Sequence, residues 1–232
     1  MTDEFDVVDL GTKHGNAIEA FLNRAGAKVL SPETIAEFKP ERCVGYEREQ
    51  CRDYAKIVQD KGFQFRLANL ANDSSLEKLP LSRVYLAWDF LEHLPDKIWA
   101  QKVVISMLSR TTELAWFRLP SFQPDAKNGE GVLRDIGLRF TWTTWTGHPT
   151  AWLVEDCLKA INLWKTQQPN REFECIVKPA SHIHSLRDLR VVPIDAPADA
   201  TQYRVAFGPK PKNRKLKTPI VAAWEVMVKF KK

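Results

Sequence analysis

The residues best placed to do chemistry begin with a glycine-containing turn near the start of the chain. The run DLGTKHG (9–15) ends a short apolar segment and precedes a stretch with helical periodicity. Glycines permit a tight turn and let backbone N–H groups approach a ligand closely. The N-terminal end of the following helix attracts negatively charged groups. The turn therefore predicts a ligand site at the carboxyl end of the first strand.

Polar side chains follow the next predicted strands in the same way. The second strand ends at Glu47, the third ends near Asn69, and the fourth runs into DFLEHLPD (89–96). Ligands of open α/β sheets bind beyond the carboxyl ends of the strands. A carboxylate in the position of Glu47 can accept two hydrogen bonds from a ribose. We therefore expect several strand ends to form one site.

This combination resembles the class I S-adenosylmethionine-dependent methyltransferases. In that family the first strand ends in an acidic-x-Gly-x-Gly-x-Gly loop, and Asp9, Gly11 and Gly15 match it, with Lys13 in place of the middle glycine. The string DFLEHLPD (89–96) is similar to the family's Asp-Val-Leu-Glu-His-Leu-Pro-Asp, and it is the most specific match.

The resemblance covers residues 6–120 closely, and SPETIAEFKPER (31–42) stands in it as an apparent insertion. It implies S-adenosylmethionine as the cofactor. Glu47 would hold the ribose, Asn69 would lie near the adenine, and Asp89 near the methionine end. The implied cofactor-binding residues are Asp9, Gly11, Gly15, Glu47, Asn69, Trp88 and Asp89.

Two histidines are the candidate catalytic residues. His93 follows the fourth strand at the cofactor edge, and His148 lies in the Trp-rich segment TWTTWTGHP (141–149), which would cover an acceptor pocket. Either could instead be a structural histidine that hydrogen-bonds a neighbouring loop. A general base is needed only when the acceptor carries a proton of high pKa, such as that of a hydroxyl. Arg118 and Ser121 could bind an anionic acceptor or serve as a surface ion pair and a turn.

The sequence predicts no metal site. His182 and His184 have the spacing of one face of a strand and could be grouped with His148,. No carboxylate or cysteine completes a convincing ligand set in the sequence. The four cysteines have no metal-ligand spacing and are expected to be reduced thiols.

Three functions remain open at this stage. The first is active methyl transfer to an unidentified acceptor, with a small molecule, sugar, lipid or protein favoured over a DNA base. The second is a catalytically silent module of the same fold that acts as a structural or interaction subunit. The third is another nucleotide-using enzyme, although the G-x-x-x-G spacing fits the dinucleotide fingerprint G-x-G-x-x-G less well.

Alternating strands and helices must position these residues. The order of apolar runs and helical segments predicts an α/β, Rossmann-like three-layer sandwich with a mostly parallel sheet closed by a late antiparallel strand hairpin. Predicted helices span 16–26, 50–62, 95–110 and 150–164, and the segment 138–148 is predicted to be extended. Residues 1–232 are predicted to form one domain, with a cofactor-binding half (1–122) and an acceptor-side half (123–232).

Composition limits the partners. The 232 residues carry a net charge of +5, but residues 209–232 alone contribute eight Lys/Arg against one acidic residue. The remaining body is nearly neutral, so only the basic loop 210–217 could contact an acidic partner or nucleic acid. No apolar run is long enough to cross a bilayer. The acidic N-terminus does not resemble a signal peptide, and a cytoplasmic location is expected.

Overall fold

A computed structural model describes residues 5–122, 130–198 and 215–231. Its nine strands are β1 (Phe5–Leu10), β2 (Cys43–Glu47), β3 (Gln64–Leu67), β4 (Ser82–Trp88), β5 (Thr111–Pro120), β6 (Leu138–Phe140), β7 (Phe173–Ser185), β8 (Val191–Pro193) and β9 (Lys215–Phe230). Seven of them form one sheet in the order β3-β2-β1-β4-β5-β9-β7, and β6 pairs with β8 in a separate two-stranded sheet.

The predicted fold class is confirmed. The five strands β1 to β5 pair in parallel, and β9 joins antiparallel to β5 and to β7, which closes the sheet with the late strand pair. Parallel strands need long crossovers, and the helical segments predicted between the strands supply them. The chain is therefore an α/β structure of the Rossmann-like type.

Helices cover both faces of the sheet. They are α1 (Asn16–Ala20), α2 (Pro32–Ala36), α3 (Tyr54–Asp60), α4 (Asp73–Glu77), α5 (Lys97–Arg110), α6 (Glu130–Arg134) and α7 (Val154–Gln167). Apolar side chains of α4, α5 and α7 pack on one face, and those of α1 and α3 pack on the other. Asp96 caps α5 by accepting a hydrogen bond from the Trp99 N–H at 2.9 Å, as the Pro-Asp start of this helix predicts,.

The order of the strands creates the crevice that holds the site. β1 lies between β2 and β4, so the chain moves outward in opposite directions on the two sides of β1. The loops after β1 and β4 consequently leave opposite faces of the sheet, and a gap remains between them at the carboxyl edge. This is the edge at which the sequence places its candidate ligand-binding residues.

The helix predicted over 16–26 does not stop at Gly26. The α-helical turns end at Ala20, the chain continues in a wider helical turn through Ala25, and a tight turn covers Gly26–Lys28. Gly26 has an ordinary negative φ and is needed for space, because a Cβ there would lie 2.6 Å from Ile35 Cδ1. The inserted segment, which carries α2, packs closely against this position.

The prediction of an extended segment over 138–148 is wrong beyond Phe140. Only β6 is a strand, and Thr141–Gly147 folds into successive turns. The Trp142 ring stacks on Phe140 at a centroid distance of 4.3 Å, and its Nε1–H donates to the Ser121 carbonyl at 3.0 Å. These contacts hold Trp142 inward, so the following residues turn back toward the end of β4 instead of extending.

A third apolar cluster supports this second half. It joins α6, β6 and β8 to the early parts of β9 and the late part of β7. The sequence also predicts a late strand at TQYRVAFG (201–208). This segment and most of the basic loop 210–217 lie outside the described residues, and residues 215–217 begin β9. Within the described ranges, no helix has the length and apolar character that crossing a membrane requires.

Candidate functional site

The turn after β1 is held against the end of β2. Both the Gly11 N–H and the Thr12 N–H donate to the Tyr46 carbonyl, at 3.0 and 3.3 Å. Gly11 and Gly15 have φ values of 74° and 70°, and Lys13 adopts a φ of 46° without being glycine. The turn therefore has the positive-φ backbone expected of a glycine-rich loop. Lys13 is strained in this conformation because it is not a glycine.

Glu47 at the end of β2 is fixed by backbone donors. Its Oε1 accepts from the Lys13 N–H at 2.8 Å, and its Oε2 accepts from the Arg48 N–H at 3.2 Å. The residue is buried at its base. Each carboxylate oxygen keeps a second lone pair, so the group remains able to accept hydrogen bonds from a ligand in front of it.

Asp9 lies beneath the turn. It is buried, and one of its oxygens has no hydrogen-bond partner among the described residues. Burial raises the pKa of Asp9 to about 8, against the opposing effect of the Thr12 hydroxyl and with a smaller contribution from the charge of Glu47. Asp9 supports the turn from below and is protonated at neutral pH.

A cavity of about 470 Å³ opens in front of Glu47. Its volume falls within the range of small-molecule sites, roughly 300–1,000 Å³. Side chains from the ends of β2, β3 and β4 line it, including Glu47, Asn69, Phe90 and His93. The Asn69 side chain accepts from the Ala71 N–H at 3.1 Å, which orients the amide at the cavity wall.

Phe90 closes the cavity above the first glycine. A Cβ on Gly11 would lie 2.5 Å from Phe90 Cδ2, so the ring rests directly on the Gly11 backbone. Asp89 immediately before it has a φ of 51°, the second non-glycine residue with positive φ in the described chain. The two strained residues, Lys13 and Asp89, thus face each other across the same crevice.

A second, smaller cavity of about 170 Å³ adjoins the first and shares His93 with it. Asp89 and Arg118 form an ion pair across its wall at 3.3 Å. Burial raises the pKa of Asp89, while Arg118 and Lys13 oppose that shift. Lys13 and Arg190 bring further positive charge to this cavity.

His93 and His148 meet in the smaller cavity. Their ring centroids lie 4.6 Å apart, and Trp145 packs edge-on against both. His93 Nδ1 lies 2.7 Å from the Gly147 carbonyl, and His148 Nδ1 lies 3.2 Å from the Trp142 carbonyl. A carbonyl only accepts, so each Nδ1 carries the proton and each Nε2 presents a free lone pair.

Both imidazoles are held neutral. Burial is the main cause that lowers the pKa of His93, which the contact with the Gly147 carbonyl opposes. Burial and the nearby His93 lower the pKa of His148 to about 4. The sequence also allows a structural role for these histidines, a hydrogen bond to a neighbouring loop. The structure contains this hydrogen bond, and Nε2 of each ring is not used in it.

Glu92 lies beside the two histidines. It is 1% exposed, and neither carboxylate oxygen has a hydrogen-bond partner elsewhere in the described chain. Burial, followed by the charge of Asp89, raises the pKa of Glu92 to about 8. One ligand atom from each of Glu92, His93 and His148 lies within 4.8 Å of the others.

The structure brings together only part of the predicted set. Glu47, Asn69, His93, Asp89 and His148 line the two cavities. Gly11 lies behind Phe90, Gly15 caps α1, and Asp9 lies below the turn. Trp88 lines neither cavity, because it packs against Trp116 at 5.2 Å within the cluster on the α1 face.

The remaining candidate residues also include some that line a cavity and some that do not. Arg118 lines the smaller cavity, whereas the Ser121 hydroxyl is buried and lines neither. His182 and His184 are exposed on β7, 6.2 Å apart, and do not join His148. Sequence reasoning missed Glu92 and Phe90. Both stand inside the string DFLEHLPD, but nothing in the sequence places His148, 55 positions after His93, beside them.

Similarity searches agree with this geometry. The fold resembles an O-methyltransferase family protein from Burkholderia thailandensis with a TM-score of 0.54 and 11% identity, covering 97% of this chain and 50% of that one. It also resembles the small RNA methyltransferase HEN1, with a TM-score of 0.55 and 11% identity, covering 100% of this chain and 23% of that one. The fold is that of a class I methyltransferase.

A third solved structure, OxaC, gives a TM-score of 0.50 at 9% identity and covers 97% of this chain and 42% of that one. The chain thus spans half or less of the length of these three structures. No protein-family profile and no curated protein sequence matches the chain. The likeness therefore defines the fold alone.

Proposed function

We propose that the protein transfers a methyl group from S-adenosylmethionine to an acceptor hydroxyl. The observation that carries the proposal is the pair of adjoining cavities that share His93. A group-transfer enzyme needs a donor site and an acceptor site in contact, so that the reacting atoms are aligned and water is excluded.

The larger cavity suits the adenosyl part of the donor. Glu47, held by two backbone N–H groups, has lone pairs left for the two ribose hydroxyls. Phe90 and Leu94 offer apolar walls for the adenine, and Asn69 offers an amide. The methionine end would then extend toward Asp89 and the smaller cavity.

The smaller cavity suits an oxygen acceptor. Two neutral imidazoles and Glu92 converge there, and all three present oxygen or nitrogen lone pairs. Such groups assist an acceptor that must lose a proton, as a hydroxyl must. Arg118, Arg190 and Lys13 line the same cavity and favour an acceptor that carries negative charge.

The reaction needs little covalent help from the protein. S-adenosylmethionine held in the larger cavity would supply the methyl group, and His93 and His148 would hold the acceptor oxygen and accept its proton at Nε2. The donor is already activated by its sulfonium charge, so the residues mainly align the two molecules. Two of the structurally similar proteins are an O-methyltransferase family protein and the small RNA methyltransferase HEN1. The first of them supports an oxygen acceptor.

Calorimetric titration with S-adenosylhomocysteine tests the donor half of the proposal. We expect one site with micromolar affinity in the wild-type protein and none in Gly11→Arg, whose side chain would displace Phe90. NAD serves as the matched nucleotide control and should not bind. Absence of S-adenosylhomocysteine binding in the folded protein would contradict methyl transfer and favour the silent structural module.

A further inference from the structure

The strongest unassigned feature is the cluster formed by Glu92, His93 and His148. Two adjacent residues after β4 and one residue from the turns after β6 place their ligand atoms within 4.8 Å of one another. The turns that bring His148 to the cluster are fixed by Trp142, whose indole N–H is bound to the Ser121 carbonyl. The grouping is thus held from both sides of the cavity.

Glu92 is in an environment that lacks a partner for a carboxylate. It is almost fully buried and its two oxygens accept no hydrogen bond from the rest of the described chain. A buried carboxyl in this condition must keep its proton or gain a cation, because an unpaired buried charge is costly. Nothing in the cavity wall supplies a neutral donor to it.

The two histidines have the arrangement of metal ligands. Each uses its Nδ1–H on a backbone carbonyl, which fixes the ring and leaves the Nε2 lone pair for another ligand. Metal-bound histidines commonly donate their other ring N–H to a carbonyl or carboxylate in this way.

We infer that Glu92, His93 and His148 form a binding site for a first-row divalent cation of the Zn²⁺, Co²⁺, Fe²⁺ or Mn²⁺ type. Two imidazole nitrogens with one carboxylate are typical ligands of such ions and leave further coordination positions open. Ligand bonds of about 2.0–2.2 Å place two ligands of one ion no more than about 4.4 Å apart. A small inward movement of the side chains is therefore sufficient to close the site.

The surrounding charges decide the affinity. Lys13, Arg118 and Arg190 line the same cavity and oppose a bound cation, whereas Asp89 favours it. Arg190 is paired with Asp188 at 2.8 Å, which reduces its effect on an ion. Asp89 is engaged with Arg118, so Lys13 is the positive charge most directly opposed to the ion. Its charge acts on Glu92, His93 and His148. Replacing Lys13 should therefore tighten metal binding.

The role of the ion depends on the proposed function. An open coordination position facing the smaller cavity would bind the acceptor oxygen and lower the pKa of its hydroxyl. Because the ion would then occupy the imidazole lone pairs, the hydroxyl proton would leave to solvent, and the deprotonated oxygen would be the group that takes the methyl. Binding of the ion itself requires neither the donor nor the acceptor.

The test is a Co²⁺ titration of metal-free, untagged protein, followed by its visible absorption. We expect one Co²⁺ per chain with new d–d bands, and displacement of Co²⁺ by Zn²⁺. Glu92→Gln and His148→Ala should weaken Co²⁺ binding by about 100-fold or more. Lys13→Gly should strengthen it.

Two control variants separate this site from other ligands. Glu130 is also fully buried but is paired with Arg134 at 3.5 Å, so Glu130→Gln should leave Co²⁺ binding unchanged. The double variant His182→Ala/His184→Ala tests the exposed pair on β7 and should also bind normally. Undiminished binding by Glu92→Gln, loss of binding in the β7 variant, or no d–d bands in the wild type would each overturn the inference. S-adenosylhomocysteine calorimetry on the same samples reports the donor site separately.

Discussion

Glu47 and Glu92 are two buried glutamates that follow β2 and β4, the strands on either side of β1, and their surroundings differ completely. Glu47 accepts a backbone N–H on each oxygen, from Lys13 and Arg48. Glu92 accepts none from elsewhere in the described chain and faces two imidazoles. One carboxylate is complete and ready for neutral hydroxyl donors, whereas the other is incomplete until it binds a proton or a cation.

The difference shows how one crevice can serve two kinds of ligand. The backbone donors around Glu47 stabilise its negative charge without a ligand, so a ribose only has to add hydrogen bonds. Around Glu92, the two imidazoles present lone pairs, and no backbone N–H groups of the described chain take the place of those around Glu47. The larger cavity is thus suited to bind a nucleoside, and the smaller one is suited to handle charge at the acceptor.

The largest expected effect separates the two glutamates by donor binding. Glu47→Ala should weaken S-adenosylhomocysteine binding by more than about 100-fold, because two charge-assisted hydrogen bonds are lost, each about 1.5–3 kcal/mol when made to a charged group. Calorimetry measures the change. The control is Glu33→Ala, an exposed glutamate on α2. Equal affinity in Glu47→Ala and the wild type would remove Glu47 from the donor site.

A smaller effect is expected at the floor of the larger cavity. Gly11→Ala places a Cβ 2.5 Å from Phe90 Cδ2 at a φ of 74°, which should destabilise the fold by about 1–3 kcal/mol. Chemical denaturation measures this. Adding Phe90→Ala should restore the stability that is lost to the steric contact but not the stability that is lost to backbone strain. Full recovery in the double variant would show that φ contributes nothing.

The pH dependence of stability tests the incomplete carboxylate. The pKa of Glu92 is raised from 4.5 to about 8, so its stabilising contribution is complete at low pH and falls as the pH rises between these values. The slope is about 1.4 kcal/mol per pH unit for one group. Glu92→Gln in the presence of EDTA should make the unfolding free energy fall less steeply as the pH rises. The part of the decline that comes from Asp9 should remain.

The control for this measurement is Glu77→Gln, an exposed glutamate on α4. It should leave the pH dependence of the unfolding free energy unchanged. An equally steep decline in Glu92→Gln and the wild type would mean that Glu92 is ionised in the folded protein across this range.

The smallest effect concerns the turn that completes Glu47. Lys13 has a φ of 46°, so Lys13→Gly should stabilise the fold by about 0.5–1 kcal/mol,. His14 beside it has no positive φ and packs its ring on Tyr54 at 4.7 Å, so His14→Gly should destabilise. Denaturation midpoints compare the pair. The same sign for both variants would contradict the strain at Lys13.

The regular half of the fold could be predicted because its signals are local. Each parallel strand is a short apolar run, and each crossover contains helical periodicity, so the order of β1 to β5 follows from the sequence. Glu47 and Asn69 could be placed at the cavity for the same reason, since both directly follow predicted strands.

The second half could not be predicted as well, because contacts distant in sequence determine it. The turns after Phe140 depend on the Trp142 indole reaching the Ser121 carbonyl. The grouping of Glu92 and His93 with His148 depends on those turns. The sequence predicts Trp88 at the cofactor because it precedes Asp89. Side chains along β4 alternate between the two faces of the sheet, and the Trp88 ring packs against Trp116 instead of lining the cavity,.

The central claim is that the two glutamates bind different ligands, and a crossed titration tests it most directly. S-adenosylhomocysteine and Co²⁺ are each titrated into Glu47→Gln and Glu92→Gln. The account predicts that Glu47→Gln loses affinity for S-adenosylhomocysteine alone and Glu92→Gln loses affinity for Co²⁺ alone. Loss of both ligands in a single folded variant, or no loss in either, would contradict it.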